Sequence, residues 1–165
     1  MADDAAIPVL VLGIGNLLWA DEGFGVRAAE RLAATHQLPD GVQVVDGGTQ
    51  GMYLLPLITS ASRLIVLDAV DLGLPPGTLV TLRDEEIPRL MGSRRLSLHQ
   101  TTFLDVLAAA ALTGGSPQAI VLVGVQAGDL EAFGAGLTPA VAARIDDAVE
   151  VVVSQLAAWR TPSPA

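Results

Sequence analysis

Three acidic residues, Glu22, Asp46 and Asp68, each follow a short apolar run of the kind that forms a buried parallel strand. Carboxylates in such positions can act as general bases or bind a divalent metal ion. Asp68 is the most informative, because a carboxylate directly after the run RLIVL is costly to bury unless it is capped or binds a ligand. Glu22 has a simpler alternative explanation, as a first-turn acid that the helix dipole favours.

The two histidines have different surroundings in the sequence. His99 precedes a predicted helix, which disfavours the imidazolium and keeps the ring available as a neutral metal ligand; capping of that helix is the alternative. His36 ends a predicted helix and is better explained as a partner of the dipole there. The chain contains no cysteine, which excludes disulfides, thiolate metal sites and a cysteine nucleophile, and we recognise no Ser-His-Asp pattern.

Asp46 opens a glycine-rich segment that continues through Gly47, Gly48 and Thr49. The two glycines would let the backbone of another chain approach closely, as recognition of an extended peptide requires. The competing explanation is a tight turn between strand and helix, capped by Asp46. Asn16, in the turn after the first strand, either bonds backbone groups of that turn or contacts a substrate.

The first turn also suggests a dinucleotide site, because Gly13 and Gly15 match the start of G-x-G-x-x-G. The third glycine of that pattern is replaced by Leu18, and the acids Asp21 and Glu22 would repel a pyrophosphate. We therefore disfavour a nucleotide site and interpret Asp21 as the N-cap of the helix that follows.

The elements that must position these residues alternate between strand and helix, which predicts an α/β fold with a doubly wound sheet between helices. Sites in such folds lie at the carboxyl ends of the strands, so the three acids should gather along one edge of the sheet. An acidic turn is predicted at 84–86 and an irregular loop at 91–98. The predicted strands are 9–12, 42–45, 63–67 and 119–125, with an edge strand at 78–83. The predicted helices are 22–36, 52–58, 101–112 and a last helix that begins at Pro139, with Thr138 as its N-cap.

Composition limits the class of protein. The chain has 165 residues, 51% of them hydrophobic and 16% charged, which predicts one globular domain over 1–165 with a frayed tail at 161–165. Its formal net charge of −9 argues against nucleic acid and anionic membranes as partners. The N-terminus lacks a signal-peptide pattern and no apolar run is long enough to span a membrane, which together predict a cytoplasmic protein.

Five stretches together resemble the nickel–iron hydrogenase maturation endopeptidases. GIGNLLWADEGFGVR at 13–27 is similar to the N-terminal signature of that family. Four further stretches agree with the family in order and spacing, so that the resemblance covers nearly the whole chain. They are VVDGGTQGM at 44–52, LIVLDAV at 64–70, SLHQ at 97–100 and LVGVQ at 122–126.

The resemblance implies a three-layer α/β/α sandwich around a five-stranded, mostly parallel twisted sheet with one antiparallel strand. Glu22, Asp68 and His99 match the family's metal-binding residues, and Asp46 matches the acid of its Asp-Gly-Gly-Thr loop. Many members have two aspartates where this chain has Asp21 and Glu22, and we assign the metal role to Glu22 only.

The implied activity is removal of a short C-terminal extension from the precursor of a hydrogenase large subunit after nickel insertion. The nickel would be presented by that substrate, and Cd²⁺ or Zn²⁺ would replace it in crystals. Two mechanisms of attack on the peptide bond stay open. A metal ion could polarise the carbonyl or activate water, or a carboxylate, Asp46 or Asp68, could act as general base, as in an aspartyl-type peptidase. The rival classes are a nickel-sensing maturation chaperone that does not cleave and a nucleotide-binding enzyme.

Overall fold

A computed structural model describes residues 7–91 and 98–160, without the side chains of Ile7 and of residues 98–102. Its strands form one sheet in the order β2-β1-β3-β5-β4, in which β4 runs antiparallel to β5 and the other neighbours are parallel. This arrangement confirms the predicted fold class, including the antiparallel edge strand. The strands are β1 (Ile7–Ile14), β2 (Val42–Gly48), β3 (Ala61–Val70), β4 (Leu79–Arg83) and β5 (Ala119–Gln126).

Helices cover both faces of the sheet and bury a separate apolar cluster on each. The first and last long helices pack on one face, and the middle helices pack on the other. Among the described residues, no helix combines the length and the apolar character that a membrane crossing requires. The helices are α1 (Phe24–Thr35), α2 (Leu55–Ser60), α3 (Glu86–Met91), α4 (Leu98–Leu112), α5 (Pro139–Ala142) and α6 (Ile145–Arg160), and 3₁₀ turns lie at Ala20–Gly23 and Gly51–Leu54.

The continuous apolar run of β3 follows from this layering. Ile65 and Leu67 lie in the cluster beneath α1 and α6, whereas Leu64 and Val66 lie in the cluster beneath α2, α3 and α4. Because successive side chains of a strand alternate between faces, a strand covered on both sides must be apolar at every position.

The parallel strands are longer than predicted, and in β2 and β3 this changes the positions of two acids. Asp46 pairs with Gly13 of β1, and Asp68 pairs with Gly124 of β5, so each acid lies within its strand. The predictions that Asp46 and Asp68 end their strands are therefore wrong. The reason is that ladder pairing with a neighbouring strand continues past the last apolar residue of the local pattern.

The helical segments differ from prediction in three places. The acidic turn at 84–86 leads directly into α3, and α4 begins at Leu98, so that His99 lies in its first turn and not before it. The last helix is divided into α5 and α6 at Ala143 and Arg144. Residues 92–97 and 161–165, predicted as a loop and a frayed tail, lie outside the described residues.

Candidate functional site

The loops that follow the parallel strands meet at the carboxyl edge of the sheet, and three of the predicted site residues are on them or beside them. Glu22 lies in the 3₁₀ turn between β1 and α1, while Asp46 and Asp68 lie near the ends of β2 and β3. Helix α4 leads into the start of β5, so its first turn, with His99, is at the same edge. The side chain of His99 is outside the described part of the structure.

Asp68 is a buried carboxyl group with one unsatisfied oxygen. Its side chain is 4% exposed, and its Oδ2 atom has no hydrogen-bond partner. Burial raises the pKa of Asp68 well above the ordinary value of 3.8, a hydrogen bond from the backbone of Ala69 opposes the rise, and the nearby charge of Glu22 adds to it. Glu22 and Asp68 are thus close together, and ionisation of the buried Asp68 costs free energy unless a cation is bound.

Asp46 is at the same edge but in different surroundings. Asp46 is exposed. Its partner Gly13 in β1 pairs in turn with Leu67 of β3, so β1 lies between β2 and β3, and the axes of β2 and β3 are about 10 Å apart. Strand alternation also places Asp46 with Val44 on the face covered by α1 and α6, opposite to Asp68. The structure therefore brings Glu22 and Asp68 together and leaves Asp46 apart from them.

Among the described side chains, no group of three or more histidines and acids is close enough to hold a metal ion. Glu22 and Asp68 supply two oxygen donors, and the imidazole of His99 is the third donor that the sequence predicts. This donor set suits a borderline divalent ion, with coordination positions left for ligands from another molecule.

Asp21 has a different role from the predicted helix cap. It is completely buried, and its carboxylate accepts hydrogen bonds from the backbone N–H groups of Gly128, Asp129 and Thr138 at 2.7–2.9 Å and from the Thr138 hydroxyl. Helix α1 instead has Gly23 at its N-cap position, without a capping side chain. The prediction that Asp21 is the N-cap is therefore wrong. Thr138 does lie at the N-cap position of α5 with Pro139 after it, as predicted, but its hydroxyl donates to Asp21 and makes no capping hydrogen bond.

The Asp21 carboxylate fixes the turn that carries Glu22 against the loop that follows β5. The backbone N–H of Asp21 also donates to the carbonyl of Asp129 at 2.9 Å, so both ends of the residue are held. The preceding residue, Ala20, has a φ of +35°, which is unusual for a residue other than glycine. The position of Glu22 thus depends on a network whose members are more than 100 residues apart in sequence.

We expect Asp21→Ala to lower the free energy of unfolding by about 3 kcal/mol, because three backbone N–H groups lose an acceptor that is completely buried. Urea unfolding would measure the change. Asp129→Ala is the matched control, since its carboxylate also accepts two backbone N–H groups but lies at the surface; we expect a smaller loss than for Asp21→Ala. Equal losses for the two variants would contradict the role of Asp21.

Glycines allow the strand, turn and helix around Glu22 to approach closely. A Cβ atom on Gly15, whose φ is +137°, would clash with the carbonyl of Glu22, and one on Gly25 would clash with the carbonyls of Ile14 and Leu67. Gly25 therefore permits the close contact of helix and strand for which the dinucleotide fingerprint uses its third glycine. The resemblance of the first turn to that fingerprint is accounted for by packing.

The two glycines at the end of β2 have different environments. Gly47 is buried, and a Cβ atom there would lie 2.7 Å from Cδ1 of Leu12. Gly48 has a φ of +45°, and its Cβ would meet only Oδ1 of Asp46, at 3.5 Å. Close packing on Leu12 therefore accounts for Gly47, and the positive φ favours glycine at position 48, while the surroundings of Gly48 are open and Thr49 is exposed.

Two polar side chains hold the neighbouring turns. Asn16 accepts a hydrogen bond from the N–H of Leu18 at 2.9 Å, so it does fix the first turn; its contact with a substrate stays a prediction. Gln126, for which the sequence gives no local signal of a role, is buried at the end of β5. Its Oε1 accepts from the N–H groups of Leu72 and Leu74, which holds the loop after β3 in place.

Comparisons with known proteins agree on one family. A family model described as hydrogenase maturation protease matches residues 26–155. The hydrogenase expression/formation protein HupD of Rhodobacter capsulatus is 58% identical over 151 residues, which cover 92% of this chain and 72% of that protein. The hydrogenase 2 maturation protease of Escherichia coli is 46% identical over 149 residues, 90% of each chain. A solved structure of the hydrogenase maturating endopeptidase HybD from E. coli superposes with a TM-score of 0.84 at 45% identity, covering 90% of this chain and 91% of that one.

Proposed function

The chain belongs to the hydrogenase maturation protease family, and we propose that it removes the C-terminal extension from the precursor of a nickel–iron hydrogenase large subunit once nickel has been inserted. The substrate is then a protein that carries its own metal ion. The protease needs to recognise that ion but does not need to hold one permanently.

The observation that carries this proposal is the unsatisfied Oδ2 atom of Asp68 beside Glu22. A buried carboxylate next to a second acid gains most from a cation that arrives from outside, because the cation removes both the desolvation cost and the repulsion. His99, in the first turn of α4, would complete a set of two oxygen ligands and one nitrogen ligand. Nickel presented by the precursor meets these requirements.

The protein groups have separate tasks in this scheme. Glu22, Asp68 and His99 recognise the nickel of the substrate, which brings the scissile bond to the carboxyl edge of the sheet. Burial raises the pKa of Asp68, which favours its protonated form, and a cation that binds there would favour the ionised form instead. Asp46, Gly48 and Thr49 are exposed or open, which supports a role in binding the extended peptide.

Incubation of the purified protein with a nickel-loaded precursor, followed by mass spectrometry, tests this function. We expect the precursor to lose its C-terminal peptide. A precursor that binds but keeps its full mass would contradict cleavage and would favour the nickel-sensing chaperone.

The two glycines allow the peptide-binding role to be separated from stability. We expect Gly48→Asn to slow processing at least about tenfold while lowering the free energy of unfolding by no more than about 1 kcal/mol, because Asn adopts a positive φ more readily than most residues but adds a side chain to the open surface. Gly47→Val is the comparison variant, and we expect it to lower stability by about 1–3 kcal/mol through overpacking against Leu12. Normal processing by Gly48→Asn would exclude close peptide contact at this position.

A further inference from the structure

An exposed apolar ridge adjoins the candidate site. We define it by four side chains on the turn after β1 and the loop after β5, which are exposed although they are large and apolar. They are Leu17 (39% exposed), Leu18 (55%), Trp19 (38%) and Phe133 (68%).

The apolar ridge is held in a defined conformation. The rings of Trp19 and Phe133 meet edge to face with centroids 5.3 Å apart, and a β-bridge joins the two residues. The N–H of Gly134 donates to the carbonyl of Leu18 at 2.8 Å, and Asp21 anchors the same two segments from below. Ordering of apolar side chains that remain exposed lowers the entropy cost of binding a partner.

A second apolar group lies on the neighbouring turn. Met52 is 51% exposed and Tyr53 is 88% exposed, on the 3₁₀ turn after β2. The N–H of Gly15 donates to the carbonyl of Gly48 at 3.0 Å, which joins the turns after β1 and β2. Large apolar side chains are thus exposed on both of the turns that border the site, and exposed apolar clusters commonly mark protein–protein contacts.

The charge of the four described loops at this edge indicates the character of the partner. The loops at 15–23, 46–54, 71–77 and 127–138 contain six acids and no arginine or lysine. A complementary surface would be apolar at its centre and basic at its rim. The acids are Asp21, Glu22, Asp46, Asp71, Asp129 and Glu131.

We propose that the apolar ridge is the surface on which the folded body of the large-subunit precursor docks, through an apolar patch bordered by basic side chains, before its nickel is recognised. This inference rests on the proposed function, because it takes the same precursor as the occupant. The ridge supplies affinity that does not depend on nickel, whereas Glu22, Asp68 and His99 supply the dependence on nickel. A ridge built on the segment that carries Glu22 places the docked protein directly beside the site.

Calorimetry with the nickel-free precursor measures this contact without the metal. We expect Trp19→Ala and Phe133→Ala each to weaken binding at least about tenfold, as for aromatic residues at the centre of an interface. Leu112→Ala is the matched control, because Leu112 is apolar and 89% exposed but lies at the opposite end of α4; we expect no change. Phe133 is the more exposed of the two aromatic residues, so Phe133→Ala keeps the test valid if Trp19→Ala unfolds.

With nickel-loaded precursor, the ridge variants should raise KM and leave kcat nearly unchanged. Binding by both variants within twofold of the wild type would overturn the docking surface, even if the wild type cleaves the precursor. Loss of binding in the variants together with a wild type that never shortens the precursor would support the docking surface and refute the proposed function. Self-association of the protein that Phe133→Ala abolishes would make a second copy of this chain the occupant and would also overturn the proposal.

Discussion

A precursor without nickel is expected to stay uncut at every concentration of this protein, while the nickel-loaded form loses its C-terminal peptide. The physical reason is the composition of the candidate site. The proposed ligands are two carboxylates and one imidazole, with no thiolate, which would make a modest site for nickel, so tight binding would require ligands from the precursor itself. Without the ion, the scissile bond has no fixed position against the catalytic groups, and the advantage of proximity is lost.

Mass spectrometry of both precursor forms over time gives the two rates directly. The variant His99→Ala should reduce the rate on nickel-loaded precursor by about a hundredfold and weaken the dependence on nickel at the same time. His36→Ala is the control histidine, because its ring already contacts the Thr35 hydroxyl at 2.8 Å and lies 3.5 Å from Glu150; we expect normal processing. Equal cleavage of the nickel-free and nickel-loaded forms would contradict the metal-recognition role of Glu22, Asp68 and His99.

The architecture could be predicted because its signals are local. The apolar runs of β1, β3 and β5 and the amphipathic stripe of the last helix each lie within one element, of which α6 is the longest at 16 residues, and alternation of strand and helix then favours one fold class. The edge position of β4 is visible in its weaker alternation, since an edge strand is less buried. Element ends were less predictable, because pairing between distant strands extends β2 to Gly48 and β3 to Val70.

The parts of the site that the sequence could not predict depend on distant partners. A local interpretation makes Asp21 a helix cap, since nothing near it in sequence indicates that the N–H groups that donate to its carboxylate lie beyond residue 127. Gln126 similarly binds the loop at 72–74. Asp68 is the opposite case, because an acid at the end of an apolar run is a local anomaly, and its burial with an unsatisfied oxygen is the corresponding structural feature.

The nearly isosteric substitution Asp68→Asn should change stability and activity in opposite directions. In the metal-free protein the pKa of Asp68 is raised above its ordinary value of 3.8, so the folded state binds the proton more tightly than the unfolded state does. The stability contributed by the protonated carboxyl is complete below about pH 3.8 and is lost as the pH rises through the raised pKa. Asn stays neutral at every pH, so the variant should equal the wild type near pH 4 and become progressively more stable than it toward pH 7.

Processing of nickel-loaded precursor by the same variant should fall at least about a hundredfold, because a neutral amide neither balances the charge of the ion nor exchanges a proton. Urea unfolding in the presence of a chelator, from pH 4 to pH 7, and cleavage assays on the same preparations measure the two effects. Asp105→Asn, at an exposed aspartate of α4, is the control and should change neither. A parallel loss of stability and activity in Asp68→Asn would make Asp68 a structural residue. Higher stability together with lower activity is expected of a buried carboxylate that destabilises the folded protein and binds the ion of the substrate.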